Sequence, residues 1–429
     1  MFTKLVEWKN NPNKKPLIIE GARQVGKSWI IKEKFSKLYK SFILCDFLAN
    51  EKKLNLIFNQ ETSVDELISS LEVMYGTKIT NETLIFLDEI QKNKFALTLL
   101  KPLAESYPQL HIVCVGSLLG LHKSMMPVGK VETLKMYPLT FDEYVLNKNV
   151  LLYEKIKADL KTNNLFIKNE LYSLYKEYLV VGGLPEVVDS FIQEKDYEKV
   201  EKLLEEIFTK YKADFNQYSL DVNPLKIKDI YDSIPAQLAN ENSRFFIKSI
   251  NKNARIERYE EANLWLEDAG LIHKVYLLEN NAYPLIKNVN NNFYKLYLHD
   301  VGLLRHISQI HPSKIINEEN FDWIGYLVKN FVLQQLKPTI LNKSYYFKVD
   351  NNYEIDFLTQ IVNDIIPIEV KSGKSKKKKS LTQYNNKFNP KYSIRFSQMD
   401  LKKDGLVINI PLWLISFVDF FNSPNLFDS

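Results

Sequence analysis

The first third of the chain alternates short apolar runs with helical patterns. Apolar residues are nearly continuous over residues 16–20, 41–47, 83–87 and 111–115. Runs of this length are typical of strands that are buried on both faces of a parallel sheet. The pattern therefore predicts an α/β domain built on a parallel sheet, which we place at residues 1–149.

The strand pattern disappears after this region and returns near the C-terminus. Amphipathic helical patterns over residues 150–222 predict a helical lid. Residues 223–290 combine helices with a hairpin pattern, which predicts a winged-helix-like module. Residues 291–429 mix helices and strands and predict an α+β domain. Its strands are expected at Tyr345–Val349, Tyr353–Thr359 and Ile365–Val370.

Composition narrows the class of protein. Of the 429 residues, 45% are hydrophobic and 25% are charged, which excludes a chain that is disordered or fibrous throughout. The length allows about three domains. The net charge of +5 is too small to predict nucleic-acid binding by itself. Cys45 and Cys114 are too few for a disulfide framework or a zinc site, and they suit a reducing cytoplasm.

Neither a membrane span nor a secretory signal is expected. The longest apolar stretch, residues 405–421, is interrupted by Asn409, Pro411 and Asp419. It is shorter than the ~20 clean apolar residues that a membrane helix needs. Residues 1–15 are mixed and charged, unlike a signal peptide. We therefore expect a cytoplasmic protein without a membrane partner.

A glycine-rich loop follows the first predicted strand and precedes a helix predicted from Lys27. It fits G-x-x-x-x-G-K-[ST] and reads Gly21-Ala22-Arg23-Gln24-Val25-Gly26-Lys27-Ser28. The glycines allow the backbone N–H groups to curl around phosphate oxygens, and the helix N-terminus adds positive potential. Lys27 is expected to reach the β- and γ-phosphates and Ser28 to ligate Mg²⁺. The loop predicts ATP and Mg²⁺ as cofactors.

Polar residues follow two of the predicted strands. Asp88 and Glu89 end the strand Thr83–Leu87. Asp88 is predicted to hold the Mg²⁺ shell and Glu89 to act as general base toward the attacking water. Alone, they would fit a surface pair equally well; the preceding loop favours the catalytic interpretation. Ser117, after the strand at 111–115, is either a γ-phosphate sensor or the N-cap of a helix.

Several motifs together resemble the AAA+-type ATPases of bacteria and archaea that carry a trailing C-terminal domain of unknown function. They are the loop above, Leu87-Asp88-Glu89-Ile90-Gln91, Gly116-Ser117, Tyr137-Pro138-Leu139-Thr140-Phe141-Asp142-Glu143-Tyr144 and Gly182-Gly183-Leu184-Pro185. In related signalling ATPases a Gly-x-Pro in the lid touches adenine, which implies that role for Pro185; a plain interhelical turn is the alternative. AAA+ rings usually insert an arginine from a neighbour, and the only arginine in residues 1–243 is Arg23. We therefore expect a slow switch that is a monomer or a small homo-oligomer.

The C-terminal region resembles the PD-(D/E)xK nuclease core. Asp356 and Glu369 would bind a divalent metal there, and Lys371 would position the attacking water. Lys329 departs from the pattern, because nuclease-like members place an acidic residue at that site. Three interpretations stay open: an active nuclease, a degenerate fold that grips nucleic acid or protein, and a structural ion-paired strand pair.

Two further features bear on the partner. Six lysines lie between Lys371 and Lys379, and they form either a solvated loop or a phosphate-tracking patch. The candidate recognition helix, Tyr259–Ala269, is mostly acidic and so favours packing against protein. The sequence thus supports three functions: an ATP-dependent switch acting on protein or nucleic acid, a nucleic-acid-processing protein with an ATP-controlled nuclease domain, and a non-hydrolysing ATP-binding scaffold.

Overall fold

The computed structural model describes most of the chain in two compact units. The described residues are 1–116, 129–161, 164–217, 222–240, 244–246, 259–318, 324–339, 343–350, 352–361, 363–374 and 379–418. The first unit contains residues 1–137 with 268–270, and the second contains residues 138–267 and 271–429. Among the described residues, no helix combines the length and apolarity needed to span a membrane.

The first unit is built on a five-stranded parallel sheet. Its strands are β1 (Leu17–Glu20), β2 (Ser41–Asp46), β3 (Thr83–Asp88), β4 (His111–Val115) and β5 (Glu132–Lys135). Their order in the sheet is β2-β3-β4-β1-β5, and all neighbours run parallel. This sheet, with its covering helices, has the P-loop NTPase fold and confirms the predicted α/β class.

Five helices accompany this sheet. They are α1 (Phe2–Asn10), α2 (Lys27–Trp29), α3 (Glu51–Ile57), α4 (Val64–Tyr75) and α5 (Lys94–Ser106). α4 begins with a capping box, in which Ser63 and Glu66 satisfy each other's backbone N–H groups. Buried leucines of α4 and α5 pack against apolar side chains of the sheet, which forms the core of the unit.

The helix predicted from Lys27 continues beyond α2 in two different helical forms. A π-helical turn covers Ile30–Lys34, and a 3₁₀ turn covers Phe35–Leu38. Ile30, Ile31 and Phe35 are buried, so this segment still lays an apolar face on the core. π-helical turns are rare and occur frequently at functional sites.

The second unit is built on a mixed eight-stranded sheet. Its order is β12-β13-β11-β10-β9-β8-β6-β7, with parallel pairs at β10–β11, β11–β13 and β6–β8. The strands are β6 (Ile272–Leu278), β7 (Val289–Leu298), β8 (Tyr345–Lys348), β9 (Glu354–Ile361), β10 (Asp364–Val370), β11 (Ser393–Ser397), β12 (Lys402–Asp404) and β13 (Val407–Pro411).

Eleven described helices belong to or border this unit. They are α6 (Phe141–Lys148), α7 (Val150–Ala158), α8 (Leu165–Val181), α9 (Pro185–Glu194), α10 (Tyr197–Gln217), α11 (Pro224–Ala239), α12 (Glu260–Asp268), α13 (Val301–Ile307), α14 (Pro312–Ile316), α15 (Gly325–Leu336) and α16 (Lys379–Phe388). The helical pattern predicted for residues 150–222 corresponds to α7–α10.

The hairpin predicted for a winged-helix-like module is part of the large sheet. β6 and β7 pair antiparallel, as a wing would, but β6 also pairs in parallel with β8. The predicted boundary at residue 290 falls inside β7. The sheet therefore does not divide there: β6 is buried along almost its whole length, and a strand covered on both faces needs neighbours on both edges.

Candidate functional site

The phosphate-binding loop adopts an unusual backbone in the first unit. Gly21, Gln24 and Gly26 have φ values of 145°, 70° and 88°. A Cβ atom on Gly21 would lie 2.2 Å from the carbonyl oxygen of Met136, so no other residue fits there. Gly26 is the N-cap of α2 and is left-handed, as a tight entry into a helix requires. The loop sequence is thus explained by its own packing and curvature.

Lys27 is buried within this loop. Its side chain is 6% exposed, and its ammonium donates to the carbonyl oxygens of Gly21 at 2.8 Å and Ala22 at 2.6 Å. Burial lowers the pKa of Lys27 to about 8, although the Glu89 and Asp88 carboxylates partly oppose that shift. The ammonium is therefore held by neutral groups, in a place where a negative ligand would stabilise its charge.

Asp88 joins the loop to the end of β3. One carboxylate oxygen accepts a hydrogen bond from the Ser28 hydroxyl at 2.7 Å, and the other pairs with the Lys32 ammonium at 2.7 Å. Lys32 also lies 3.9 Å from Asp46, at the end of β2. A hydroxyl and one carboxylate fit Mg²⁺, which commonly uses one or two carboxylates and takes its other ligands from water and phosphate.

Glu89 sits in a strained position beside Asp88. Its φ of 55° is left-handed, which is uncommon for a residue with a side chain and is found at functional sites. The side chain is half-buried and accepts a hydrogen bond from the Gln91 amide at 2.5 Å. This bond orients the carboxylate that the sequence nominates as general base.

The remaining predicted nucleotide contacts differ in what the structure shows. Ser117 lies outside the described residues. Pro185 is the first residue of α9 in the second unit, and Gly182 and Gly183 form the turn before it. Gly183 donates its N–H to the buried Asp300 at 2.7 Å, and a Cβ atom on Gly182 would lie 2.2 Å from the same carboxylate. Packing thus accounts for the glycines as an interhelical turn, while the adenine contact stays a prediction.

The second unit brings Asp356, Glu369 and Lys371 together. Ile368 of β10 lies opposite Phe357 of β9, so Asp356 and Glu369 are the next pair in the register. The Asp356 carboxylate also accepts the Val370 N–H at 2.8 Å. Among the residues that the structure describes, no group of three or more His, Cys, Asp or Glu side chains could hold a metal ion.

Each of these two carboxylates is paired with a lysine. Asp356 lies 2.6 Å from the Lys329 ammonium, and Glu369 lies 2.5 Å from that of Lys371. Burial alone would raise the pKa of Asp356, but the charge and hydrogen bond of Lys329, the Lys295 charge and the Val370 N–H together lower it. Burial does raise the pKa of Glu369 despite Lys371. Lys329 therefore stands where the nuclease pattern has an acidic residue. It neutralises Asp356, one of the two predicted metal ligands.

The polar side chains continue across the sheet. Arg395 of β11 lies opposite Glu369 on one side and Asn409 of β13 on the other. The Arg395 Nε donates to the Asn409 side-chain oxygen at 2.8 Å. We call Asp356, Glu369, Arg395 and Asn409, with the lysines Lys329 and Lys371, the polar row. Sequence analysis assigned no role to Arg395 or Asn409.

Lys32, Asp46 and Gln91 were also given no role from the sequence. Lys32 follows Ser28 by four residues, one helical turn, and that spacing could have placed it beside the same carboxylate. Asp46 ends a predicted strand, as Asp88 does, and so could have been expected at the same edge of the sheet. The contact of Gln91 with Glu89 depends on the left-handed backbone at Glu89, which no sequence pattern predicts.

Comparisons with known families support the class of the first unit. Residues 13–145 match the family model of the AAA domain. The N-terminal region is a P-loop ATPase domain. Residues 172–314 and 324–415 match two domains of unknown function, DUF8612 and DUF4143. The curated proteins contain no match to the chain.

Two solved structures are similar to this chain. A Walker-type ATPase of Pyrococcus abyssi is 15% identical, with a TM-score of 0.44, over 71% of this chain and 93% of that protein. A signal-transduction ATPase with numerous domains and a tetratricopeptide-repeat sensor, from Pyrococcus horikoshii, is 13% identical with a TM-score of 0.29. The second match covers 80% of this chain and 45% of that protein. Both scores are low, so the assignment of the ATPase domain rests on the family model and the observed sheet.

Proposed function

We propose that this chain is a slow ATP-hydrolysing switch that acts on a protein or nucleic-acid partner. The observation that carries the proposal is the hydrogen bond from the Ser28 hydroxyl to the Asp88 carboxylate. This bond joins the phosphate-binding loop to the end of β3. It brings together the two protein groups that a magnesium–nucleotide complex needs, beside an acid suited to act as base.

The residues have separate tasks in this proposal. The backbone of residues 21–28 cradles the phosphates, and Lys27 turns from its loop carbonyls to the β- and γ-phosphate oxygens. Bound Mg²⁺, held by Ser28 and Asp88, would offset the negative charge of the phosphates. Glu89, oriented by Gln91, accepts the proton of the attacking water.

Two contacts outside this core complete the proposed site. Ser117 is retained as the γ-phosphate sensor and Pro185 as the adenine contact, each on the grounds of its motif.

The scarcity of arginine supports slow turnover. Arg23, within the loop itself, is the only arginine in residues 1–243. A lysine supplied by a neighbour would lack the planar fork that matches phosphate oxygens. We therefore favour a monomer or a small homo-oligomer over a fast ring-shaped motor.

Two alternatives are less well supported. A non-hydrolysing scaffold has no use for an oriented acid such as Glu89 beside the magnesium ligands. A metal-dependent nuclease would have to displace a lysine from Asp356 and another from Glu369. These ion pairs favour a C-terminal region that binds a partner or responds to one over a region that cleaves nucleic acid.

The test is steady-state ATP hydrolysis by the wild type and two variants, with and without DNA or RNA. Glu89→Gln should lower turnover by about 10²–10⁴-fold while ATP still binds, because it removes only the base. Lys27→Ala should lower both binding and turnover. Lys37→Ala, which removes an exposed lysine from the same helical segment, is the matched control. Unchanged turnover in Glu89→Gln would contradict the proposal, and ATP binding without turnover in the wild type would favour the scaffold.

A further inference from the structure

The polar row is layered, with its acids below and its lysines above. The side chains of Asp356 and Glu369 are 8% and 3% exposed, whereas those of their partners Lys329 and Lys371 are 28% and 34% exposed. Solvent therefore reaches the lysine side chains more than it reaches the carboxylates. Each ammonium has three N–H donors, and its carboxylate partner does not use all of them. The accessible layer of this site is a donor surface with positive charge.

The row contains one more base than acid. Lys329 and Lys371 are balanced by Asp356 and Glu369, and Arg395 is the additional cation. The neighbouring Lys295 and Glu354 pair with each other and add no net charge. Within the row a ligand that restores neutrality would be an anion; outside the row, the Asp404 carboxylate also acts on the Arg395 charge.

The same Arg395 supplies a second indication of an anion, from its hydrogen bonding. Its side chain is buried, with 2% exposure, and its Nη1 atom has no hydrogen-bond partner. Its Nη2 atom contacts the sulfur of Met399 at 3.4 Å, and thioether sulfur is a weak acceptor. Buried donors are normally paired, and an unpaired one is destabilising. The charge of an anion bound nearby would offset part of that penalty.

The position in the sheet is one where ligands bind. β10, β11 and β13 run parallel; Glu369 lies at the carboxyl end of β10 with Lys371 just beyond it, and Arg395 lies in the middle of β11. Ligands of open sheets bind outside such ends. α16 begins here too: the N–H of Leu381, in its first turn, donates to Glu369 at 3.3 Å. The N-terminus of that helix adds positive potential at the same edge.

We propose that the polar row binds a phosphate group directly, without a divalent metal, through Lys329 and Lys371. Each predicted metal ligand already has a cation within 2.6 Å, so a metal would have to displace both lysines. A phosphate displaces neither, because it would use the N–H groups that the carboxylates leave over. Its source is either a nucleic-acid backbone or a free phosphate compound such as a nucleotide. This inference goes beyond the proposed ATPase function and does not rest on it.

The test measures binding of fluorescent single-stranded and duplex DNA and RNA to the full chain in EDTA. Lys371→Gln and the paired change Lys329→Gln with Asp356→Asn should each weaken binding about tenfold, the usual effect of losing one charge-assisted contact. The paired change leaves no unpaired buried carboxylate, Lys371→Gln keeps an amide donor beside Glu369, whose pKa burial already raises, and the thermal melting of each variant checks that it folds. Lys391→Gln is the matched control, because Lys391 pairs with Asp364 at the opposite end of β10. It should bind like the wild type.

A second arm distinguishes the two sources of phosphate. Inorganic pyrophosphate is titrated by calorimetry into the wild type and Lys371→Gln, both in a Lys27→Ala background that removes binding at the phosphate loop. Binding of DNA or RNA that depends on the polar row assigns the phosphate to nucleic acid. Binding of pyrophosphate that depends on the polar row, without binding of DNA or RNA, assigns the phosphate to a free compound. The proposal is overturned if neither ligand binds, if the row variants bind like the control, or if binding requires a divalent ion.

Discussion

Two lysines, Lys27 and Lys329, show how differently the two units hold a positive charge. The Lys27 ammonium donates to two neutral carbonyl oxygens, and burial lowers its pKa to about 8. The Lys329 ammonium contacts the Asp356 carboxylate; burial alone would lower its pKa, but the carboxylate raises it. The hydrogen bonds of the first cation go to neutral oxygens, with the Asp88 and Glu89 carboxylates acting on its charge from nearby, whereas the second cation contacts a carboxylate directly.

This difference bears on how each site responds to a ligand. At the phosphate loop the incoming phosphates supply a counter-charge, so binding should strengthen the hold on Lys27 substantially. In the polar row the counter-charge is built in, and a ligand uses only the remaining N–H groups. The first site is suited to a change that nucleotide binding drives. The second site is suited to binding its ligand on a surface that is already formed.

The largest expected difference between the two units is the change in stability when each lysine is removed from the nucleotide-free protein. Lys329→Ala leaves Asp356 buried without its partner and should destabilise the second unit by about 3 kcal/mol. Lys27→Ala removes a buried charge that has only neutral acceptors, and it should change stability by less than about 1 kcal/mol. Urea denaturation, followed separately for each unit because the chain is not expected to unfold in one step, measures both effects. Equal losses in the two variants would contradict the distinction.

The parts of this picture that sequence could predict are those that depend on local pattern. The buried strands of the first unit are apolar along their length, and the loop from Gly21 to Ser28 carries a spaced motif. β5 was not predicted because its polar side chains alternate with partly buried ones at the edge of the sheet. Its position follows from pairing with β1, which no local pattern encodes.

β11 and β13 were missed for a different reason. Ser393, Arg395 and Ser397 place a polar side chain at every second position of β11, yet the whole strand is buried. That face is satisfied by partners distant in sequence, including Asn409 and Asn385. A hydrophobic pattern cannot find a buried face whose stability comes from hydrogen bonds. The ion pair of Lys32 with Asp88 also escaped prediction, because it joins two elements that the fold brings together.

A smaller effect, on the Mg²⁺ requirement of the first unit, is expected from the ion pair between Lys32 and Asp88. Lys32 lies 2.7 Å from one carboxylate oxygen of a proposed magnesium ligand, so it competes with the ion for that group. Lys32→Met should lower the Mg²⁺ concentration at half-maximal binding of a fluorescent ATP analogue by about threefold to tenfold, at most ~1.4 kcal/mol. Lys34→Met, at an exposed position of the same π-helical turn, is the control. An unchanged Mg²⁺ requirement in Lys32→Met would show that this pair does not oppose the metal.

The smallest expected effect is a pH dependence that belongs to Lys27 alone. Its folded pKa of about 8 lies below the ordinary value of 10.5, so between these values the unfolded chain binds more protons than the folded one. Stability of the nucleotide-free protein should therefore gain from this group as pH rises above 8. Lys27→Met lacks the group, so its stability advantage over the wild type should shrink by about 0.8 kcal/mol between pH 7 and pH 8.5. Urea denaturation at both pH values measures the change. A difference between the two proteins that does not vary with pH would mean that the Lys27 ammonium is not under strain in the free loop, and that ATP has no unbalanced charge to relieve.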